Sequence, residues 1–382
     1  MAQDVIIIGG GVIGCSIALR LAEAGLKVTL VERGRAGCEA SRAAAGMLCP
    51  QSETRGPSPF LNLGLRSRSI YRSFTDHLME LSGIDVEYRD EGVLFVQLEG
   101  EDDKQVAHWF KWQTEAGLKL ERIAESNLRM NEPAVTEQAT GAVFIPGDHQ
   151  VENRKLMDAL AVAVKRAGVE MIEGSEVSRL IVNRDRVEGV VSGVERLEAG
   201  AVVVAAGCWS ARLLAPLGLN IKIVPARGQM IALKGSASPL SRVLHSTRCY
   251  LVPRRDGRIL VGSTVEYAGF EKGITAGGIA SLIAAAVELV PSLEEFEIVE
   301  AWSGLRPDTA DHLPVMGDSG IKNLFIASGH FRNGILLAPV TAELISELIL
   351  SGRAPDELQP FGVERFLNSQ EQEQAEPVTI ND

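Results

Sequence analysis

Three glycines and one carboxylate near the amino terminus carry the first chemistry in this sequence. In "DVIIIGGGVIGCSIALRLAEAGLKVTLVERG", residues 4–34, Gly9, Gly11 and Gly14 have the spacing GxGxxG, and Glu32 closes the stretch. Gly9 allows a tight turn, Gly11 lets the backbone approach a pyrophosphate, and Gly14 permits close helix–strand contact. Glu32 can accept hydrogen bonds from a ribose diol. A second group, "SGHFRNGILLAP" at residues 328–339, places His330, Phe331, Arg332 and Asn333 between two glycines, just before an apolar run. A third is Arg306 in "WSGLRP", held between Gly304 and Pro307. A rigidly mounted guanidinium is the natural bidentate clamp for a carboxylate. The alternative for Arg306 is a structural pair with Asp308 or Asp311. No Ser/His/Asp or Cys/His set accompanies these groups, so no residue is assigned as a catalytic acid or base. Histidine is scarce and no HxxxH or His/Cys cluster occurs, so no metal site is expected.

The elements that must position these groups are legible around them. Residues 5–8 form a continuous apolar run, as expected of a strand buried on both faces. Val12, Ile13, Ile17 and Leu21 follow helical spacing, and Gly25 ends that helix. Residues 28–31 read as a second strand ending at Glu32. Strand, glycine turn, helix, strand and terminal acid are thus in register for a nucleotide whose phosphates meet the helix N-terminus. Arg33 could suit a phosphorylated ribose, but Glu32 would repel that phosphate, which favours FAD or NAD over NADP.

The rest of the chain bears on which of the two it is. An NAD-type chain would continue with further βαβ repeats, and this one does not. Residues 35–50, "RAGCEASRAAAGMLCP", are small and polar, able to lie close to a large flat ligand. In "AGAVVVAAGCWS" residues 202–205 form a strand closed by Gly207, and "KNLFIASGHFRNGILLAP" adds another. Three glycine-terminated strands spread along the chain suggest one parallel sheet converging on one long cofactor. Pro339 reads as a first-turn residue of a helix whose apolar face is Val340, Leu344, Ile345, Leu348 and Ile349. Its positive end would stabilise the negative charge that a reduced flavin ring gains.

These pieces resemble the D-amino acid oxidase-like flavoenzymes, and among them the bacterial glycine oxidases of thiamine thiazole biosynthesis. The resemblance rests on "VIIIGGGVIGCSIALRLAEAG", "SRAAAGML", "RCYLVPRRDGRILVGST", "WSGLRP" and "SGHFRNGILLAP", which occur in order over nearly the whole chain. It implies that FAD lies against Val12, Ile13, Glu32 and Arg33, and that Ala40, Ser41, Ala45, Gly46 and Met47 meet its pyrophosphate, ribityl chain and ring system. Val177 would meet the adenine. His330, Phe331, Arg332, Asn333, Gly334, Ile335 and Leu336 would line the isoalloxazine. The family's carboxylate-binding arginine falls on Arg306, its assisting tyrosine on Tyr250, and Arg332 also falls on a substrate-site position. Val265 and Glu266, after "VGST", are expected at a variable part of the pocket wall. Related enzymes that oxidise sarcosine hold flavin through a cysteine ahead of the last nucleotide segment; "WSGLRPDTADHLPVMGD" has none, so noncovalent FAD is expected.

The implied fold is α/β, a Rossmann-like FAD-binding domain with an inserted antiparallel substrate domain. The FAD-binding segments are placed at 1–85, 147–217 and 300–366, the substrate segments at 86–146 and 218–299, and a polar tail at 367–382. "VEYRDEGVLFVQL", "IKIVPARGQMIAL" and "RCYLVPRRDGRILVGST" read as its strands, and "IASLIAAAVELVP" as a helix ended by Pro291. "ENRKLMDALAVAVKRAG" is a helix returning to the nucleotide domain.

Bulk composition narrows the partners. The 382 residues carry 50 acidic against 38 basic side chains, a net charge of −12, which argues against nucleic acid. No uninterrupted apolar run approaches the ~18–20 residues of a membrane span, and the N-terminus lacks the basic region of a secretory signal. Five cysteines, Cys15, Cys38, Cys49, Cys208 and Cys249, form no CxxC pair and read as small hydrophobes in a reducing cytoplasm. The expected partners are a small amino acid, dioxygen and further copies of the chain in a homo-oligomer. Two alternatives remain: a D-amino acid dehydrogenase passing electrons to a quinone, and a flavin-binding module without turnover.

Overall fold

The computed structural model describes residues 3–100 and 103–366; the tail placed at 367–382 lies outside them. The buried run Gln3–Ile8 is a central strand, paired in parallel with Val28–Glu32 on one side and Glu195–Val204 on the other. Leu324–Ser328 and Glu170–Glu173 extend the parallel set outward, and Val315–Asp318 closes one edge antiparallel. The three glycine-terminated strands expected from the sequence are therefore direct neighbours. A hairpin, Val177–Asn183 and Arg186–Ser192, adds to the outer part of Glu195–Val204.

Four helices cover one face: Val12–Glu23, Pro59–Ser82, Asn153–Arg166 and Gly334–Ser351. Pro59–Ser82 is not among the elements expected from the sequence pattern. Its 24 residues are bounded by local signals: Ser58 accepts from the Leu61 N–H, proline opens the first turn, and Gly83 (φ 75°) ends it. Gly334–Ser351 is long and apolar enough to cross a membrane, but 67% of it is buried between the first and second of these helices.

That last helix corrects one expectation. It starts at Gly334, so Pro339 lies inside it rather than in its first turn. A proline there cannot donate to the carbonyl four residues back, that of Ile335. The Tyr71 hydroxyl donates to that carbonyl instead at 3.0 Å, and Ser67 donates to the next one, Leu336. Tertiary partners thus satisfy the groups that would otherwise mark a helix end.

The second sheet runs Glu297–Thr309, Ile223–Lys234, Arg258–Gly262, Tyr250–Pro253, Val243–His245, Val93–Leu98, Ala139–Ile145, Glu121–Ala124. It is antiparallel except for the parallel pair of Val243–His245 with Val93–Leu98. Helix Ala276–Leu289 packs over it and ends ahead of Pro291, as the pattern implies. The boundary placed at 299/300 falls inside Glu297–Thr309, which pairs with Ile223–Lys234 from end to end. Arg306 therefore belongs to this second sheet.

Candidate functional site

A cavity of about 480 Å³ lies between the two sheets. One end is built from the first βαβ unit. The Gly9 N–H donates to the Val31 carbonyl, and Gly9 has φ 107°, a conformation glycine supplies. A Cβ on Gly14 would stand 1.9 Å from the Gly9 carbonyl, so that position is closed by helix–strand contact and does not line the cavity. Gly11 is different: its only close neighbour for a Cβ is the Ser41 hydroxyl at 3.3 Å, and it faces the cavity. Glu32 is buried, and its two oxygens accept from the Gly10 and Gly34 N–H groups at 2.7 and 2.8 Å. Arg33 stacks 3.5 Å over the Trp209 ring and pairs with Glu39.

The middle of the wall comes from residues 40–47. Ala40, Ser41, Ala45, Gly46 and Met47 line it, together with Val12 and Ile13 across the gap. The Ser41 hydroxyl accepts from the Val12 N–H at 2.9 Å, joining the two sides at the mouth of the first helix. Val177 and Gly207 line the nucleotide end.

At the other end, His330, Phe331, Arg332, Asn333, Gly334 and Ile335 form one wall. Gly334 and Ile335 belong to the first helical turn, whose N–H groups no helical carbonyl can reach. Phe331 has φ 44°, a left-handed conformation unusual for an aromatic residue. It is held by its N–H on the Pro307 carbonyl at 2.9 Å and by stacking on His312. His330 is buried against Thr341, and burial pushes its imidazole down to about 3, so it stands neutral. Leu336 departs from expectation. It turns into the core beside Gly64, because its place in the helix faces Pro59–Ser82 rather than the cavity.

Arg306 and Tyr250 face this wall from the second sheet. Both rest on glycines: a Cβ on Gly228 would fall 2.2 Å from the Arg306 guanidinium, and one on Gly262 would fall 2.4 Å from the Tyr250 ring. Arg306 donates to the Thr264 carbonyl at 3.1 Å and the Ser263 hydroxyl at 2.6 Å. Among the described residues it has no carboxylate partner. Asp308 serves Tyr267 and His312 instead, and Asp311 pairs with Arg365, which removes the structural-pair alternative. Withdrawal from solvent lowers the Arg306 guanidinium, and an arginine stays charged nonetheless. Arg332 is paired with Glu53 at 3.3 Å.

The model of the FAD dependent oxidoreductase family matches residues 4–348. The chain belongs to that family. It is 36% identical to the glycine oxidase of Geobacillus kaustophilus over 95% of this chain and 97% of that one. It is 39% identical to the bifunctional protein ThiO/ThiG of Synechocystis over 96% of this chain, but spans only 54% of that protein, about half its length. The crystal structure of the Geobacillus glycine oxidase superposes with a TM-score of 0.91 at 35% identity, covering 95% and 98% of the two chains. An L-proline dehydrogenase from P. horikoshii, 21% identical with a TM-score of 0.86, shares the fold.

The cavity suits the family's FAD. It is one continuous space from Glu32 and Val177 to Arg306 and Tyr250, and Gly11 leaves open room where a side chain would intrude. Two cysteines expected to be plain hydrophobes, Cys49 and Cys208, reach its wall. Both thiols donate to carbonyls, and burial pushes Cys49 up and Cys208 up to about 12, so neither becomes a thiolate. Cys38 is exposed, contrary to its expected place as an inward hydrophobe. Val265 and Glu266 do not reach the cavity, since Glu266 turns to Arg227, Gln229 and Thr264. Glu53, Trp209 and Met230 line the cavity without being expected there. Trp209 lies just past Gly207 and Met230 on a strand read from its pattern, but no spacing rule marks any of the three, because each arrives from a different part of the chain.

Proposed function

We propose that this enzyme oxidises glycine and other small amino acids, sarcosine and D-alanine among them, to the oxo acid, ammonia and hydrogen peroxide. The observation that carries this reading is Arg306, a cation facing the cavity with no carboxylate of its own among the described residues. Arg332 is held by Glu53, so at this end of the cavity Arg306 is the cation left to recognise a substrate carboxylate; Arg212 lines it near Val177 and stacks on Phe270. Tyr250, with the strands Ile223–Lys234 and Arg258–Gly262 between the two, reaches the same space and offers a hydroxyl to the same carboxylate. FAD, when bound, would supply the two-electron acceptor for the substrate's Cα–H bond, with dioxygen as the final acceptor. The protein's part is to fix the carboxylate, exclude water and present the helix N-terminus at Gly334 to negative charge. His330 is neutral and bonded to Thr341, which leaves it no proton-transfer role.

In this reading Glu32 holds the ribose, while Gly9, Gly11, Val12 and Ser41 surround the pyrophosphate. Val177 meets the adenine, and His330 to Ile335 line the ring. FAD is held noncovalently, since residues 302–318, ahead of the last nucleotide segment, contain no cysteine. The likeness to glycine oxidases over nearly their full length supports the substrate, and the likeness to ThiO/ThiG supports a role in supplying thiamine thiazole synthesis. Five free thiols suit the cytoplasm.

The test is an activity panel of glycine, sarcosine and D-alanine with purified protein, following dioxygen uptake and peroxide. Reduced enzyme mixed with air-saturated buffer should reoxidise in well under a second. Reoxidation over minutes, with fast turnover only on a quinone, would move the protein to the dehydrogenase reading. Acid precipitation should leave the yellow colour in the supernatant.

A further inference from the structure

Arg254 follows the strand that carries Tyr250, Tyr250–Pro253, and its side chain runs the other way, into the nucleotide domain. It is only 5% exposed and forms no ion pair among the described residues. Its guanidinium donates to the carbonyls of Val151 at 2.9 Å and Ala45 at 2.7 Å, and to the side-chain oxygens of Gln150 at 3.3 Å and Asn153 at 3.2 Å. Its Nε has no partner. The nearby acid Glu152 spends its carboxylate on the Lys155 N–H, capping the helix that begins at Asn153. A buried cation served by neutral dipoles alone carries a desolvation penalty that an apolar side chain of similar volume would avoid. Burial of the charge alone gives no reason for an arginine here.

Its partners give one. The Asn153 amide donates onward to the Ser41 and Arg42 carbonyls at 2.9 and 3.0 Å, and the Ser41 hydroxyl accepts from the Val12 N–H. A second branch runs from Arg254 through Ala45 and Val151 to Gly46. The Val151 N–H donates to the Gly46 carbonyl at 2.8 Å, and a Cβ on Gly46 would lie 2.0 Å from the Val151 carbonyl. Tyr250 at one end of this chain lines the cavity, as do Val12, Ser41, Ala45 and Gly46 at the other.

We propose that Arg254 is a positioning residue that ties the substrate strand to the cofactor-holding turn through Asn153 and Ser41. It sets the backbone of residues 45–46 and the mouth of the first helix relative to Tyr250, without touching substrate or FAD itself. The proposal rests on FAD occupying the cavity as described above, and Gly11→Val tests that premise separately.

The experiment titrates apo-protein with FAD by fluorescence quenching for wild type, Arg254→Met, Arg254→Lys, Asn153→Ala and the double variant, with melting of each apo and holo form. Arg254→Met and Asn153→Ala should each weaken FAD about tenfold, the scale of a lost buried charge-assisted bond. The double variant should fall no more than about threefold below the worse single, because both act through one network. Arg254→Lys should recover little, since an ammonium cannot hold both branches at once. The glycine KM should rise in Arg254→Met because the Tyr250 strand loses its anchor. Wild-type FAD affinity with equal melting losses in apo and holo forms would make Arg254 a plain structural residue and overturn the proposal. Multiplicative losses in the double variant would overturn the relay. Should Arg254→Met fail to fold, Asn153→Ala carries the test: it breaks the same branch at a residue that does not line the cavity, and wild-type FAD affinity there would overturn the relay. Full FAD binding by Gly11→Val would sink the placement of FAD, whereas its loss beside an unaffected Arg254→Met would sink the relay alone.

Discussion

The two ends of the cavity are built by opposite means. At the nucleotide end the working groups are mostly backbone. Gly9, Gly11 and Val12 and their companion acid Glu32 come from one short stretch of chain, and Glu32 already serves two N–H groups of that stretch. At the substrate end the working groups are side chains drawn from separate strands. Arg306 lies on Glu297–Thr309 and Tyr250 on Tyr250–Pro253, and each is seated on a glycine from yet another strand. A backbone site is made by local geometry and is damaged by adding atoms. A side-chain site depends on the space beneath each group, and it can be displaced from a distance.

The largest effect should come from Gly11→Val. Gly11 has φ −73° and extended ψ, which any residue adopts, so the variant should fold. Its side chain projects into the cavity, and the purified protein should be colourless with an apo melting temperature near that of wild type. Gly14→Val sharpens the contrast: the added atoms meet the Gly9 carbonyl, so it should lose stability itself.

Arg306→Leu should keep its flavin spectrum while kcat/KM for glycine falls roughly a thousandfold, the scale of a desolvated charge pair. Turnover within a few-fold of wild type would break the distinction between the ends. Gly228→Ala should do a smaller version of the same, displacing the guanidinium by crowding. A loss of roughly tenfold to a hundredfold with unchanged FAD content is expected for misplacement of this kind.

A separate effect, on stability and not on turnover, concerns pH. His330 is held at about 3 in the folded state against an ordinary value of 6.5. Between these values the unfolded chain binds the proton and the folded one does not, so stability is full above about 6.5 and falls as pH drops towards 3. Melting curves from about pH 7 down to about pH 4 should show this slope, and His330→Asn should flatten it.

The same contrast governs what the amino-acid sequence reveals. The strand–glycine–helix–strand–acid unit is legible because its contacts are local and each residue type has one evident use there. Arg306 is legible as a clamp from its glycine and proline neighbours. Its freedom from Asp308 and Asp311 is not, since that depends on Tyr267, His312 and Arg365, brought together only by folding. Pro339 misleads because a local rule puts proline at a helix start, while Tyr71, more than 260 residues away, satisfies the carbonyl it leaves open. Leu336 is drawn to the ring wall by its neighbours in sequence, yet the helical turn rotates it into the core.

The sequence by itself determined the cofactor class, the parallel sheet and the residue types at both ends, because periodicity and glycine spacing act over short stretches of chain. Tertiary structure decided which cation remained without a carboxylate, which glycines made room for Arg306 and Tyr250, and that Arg254 reached across to Asn153. Those outcomes depend on the register between strands far apart in the chain, and register is set by packing the whole core at once.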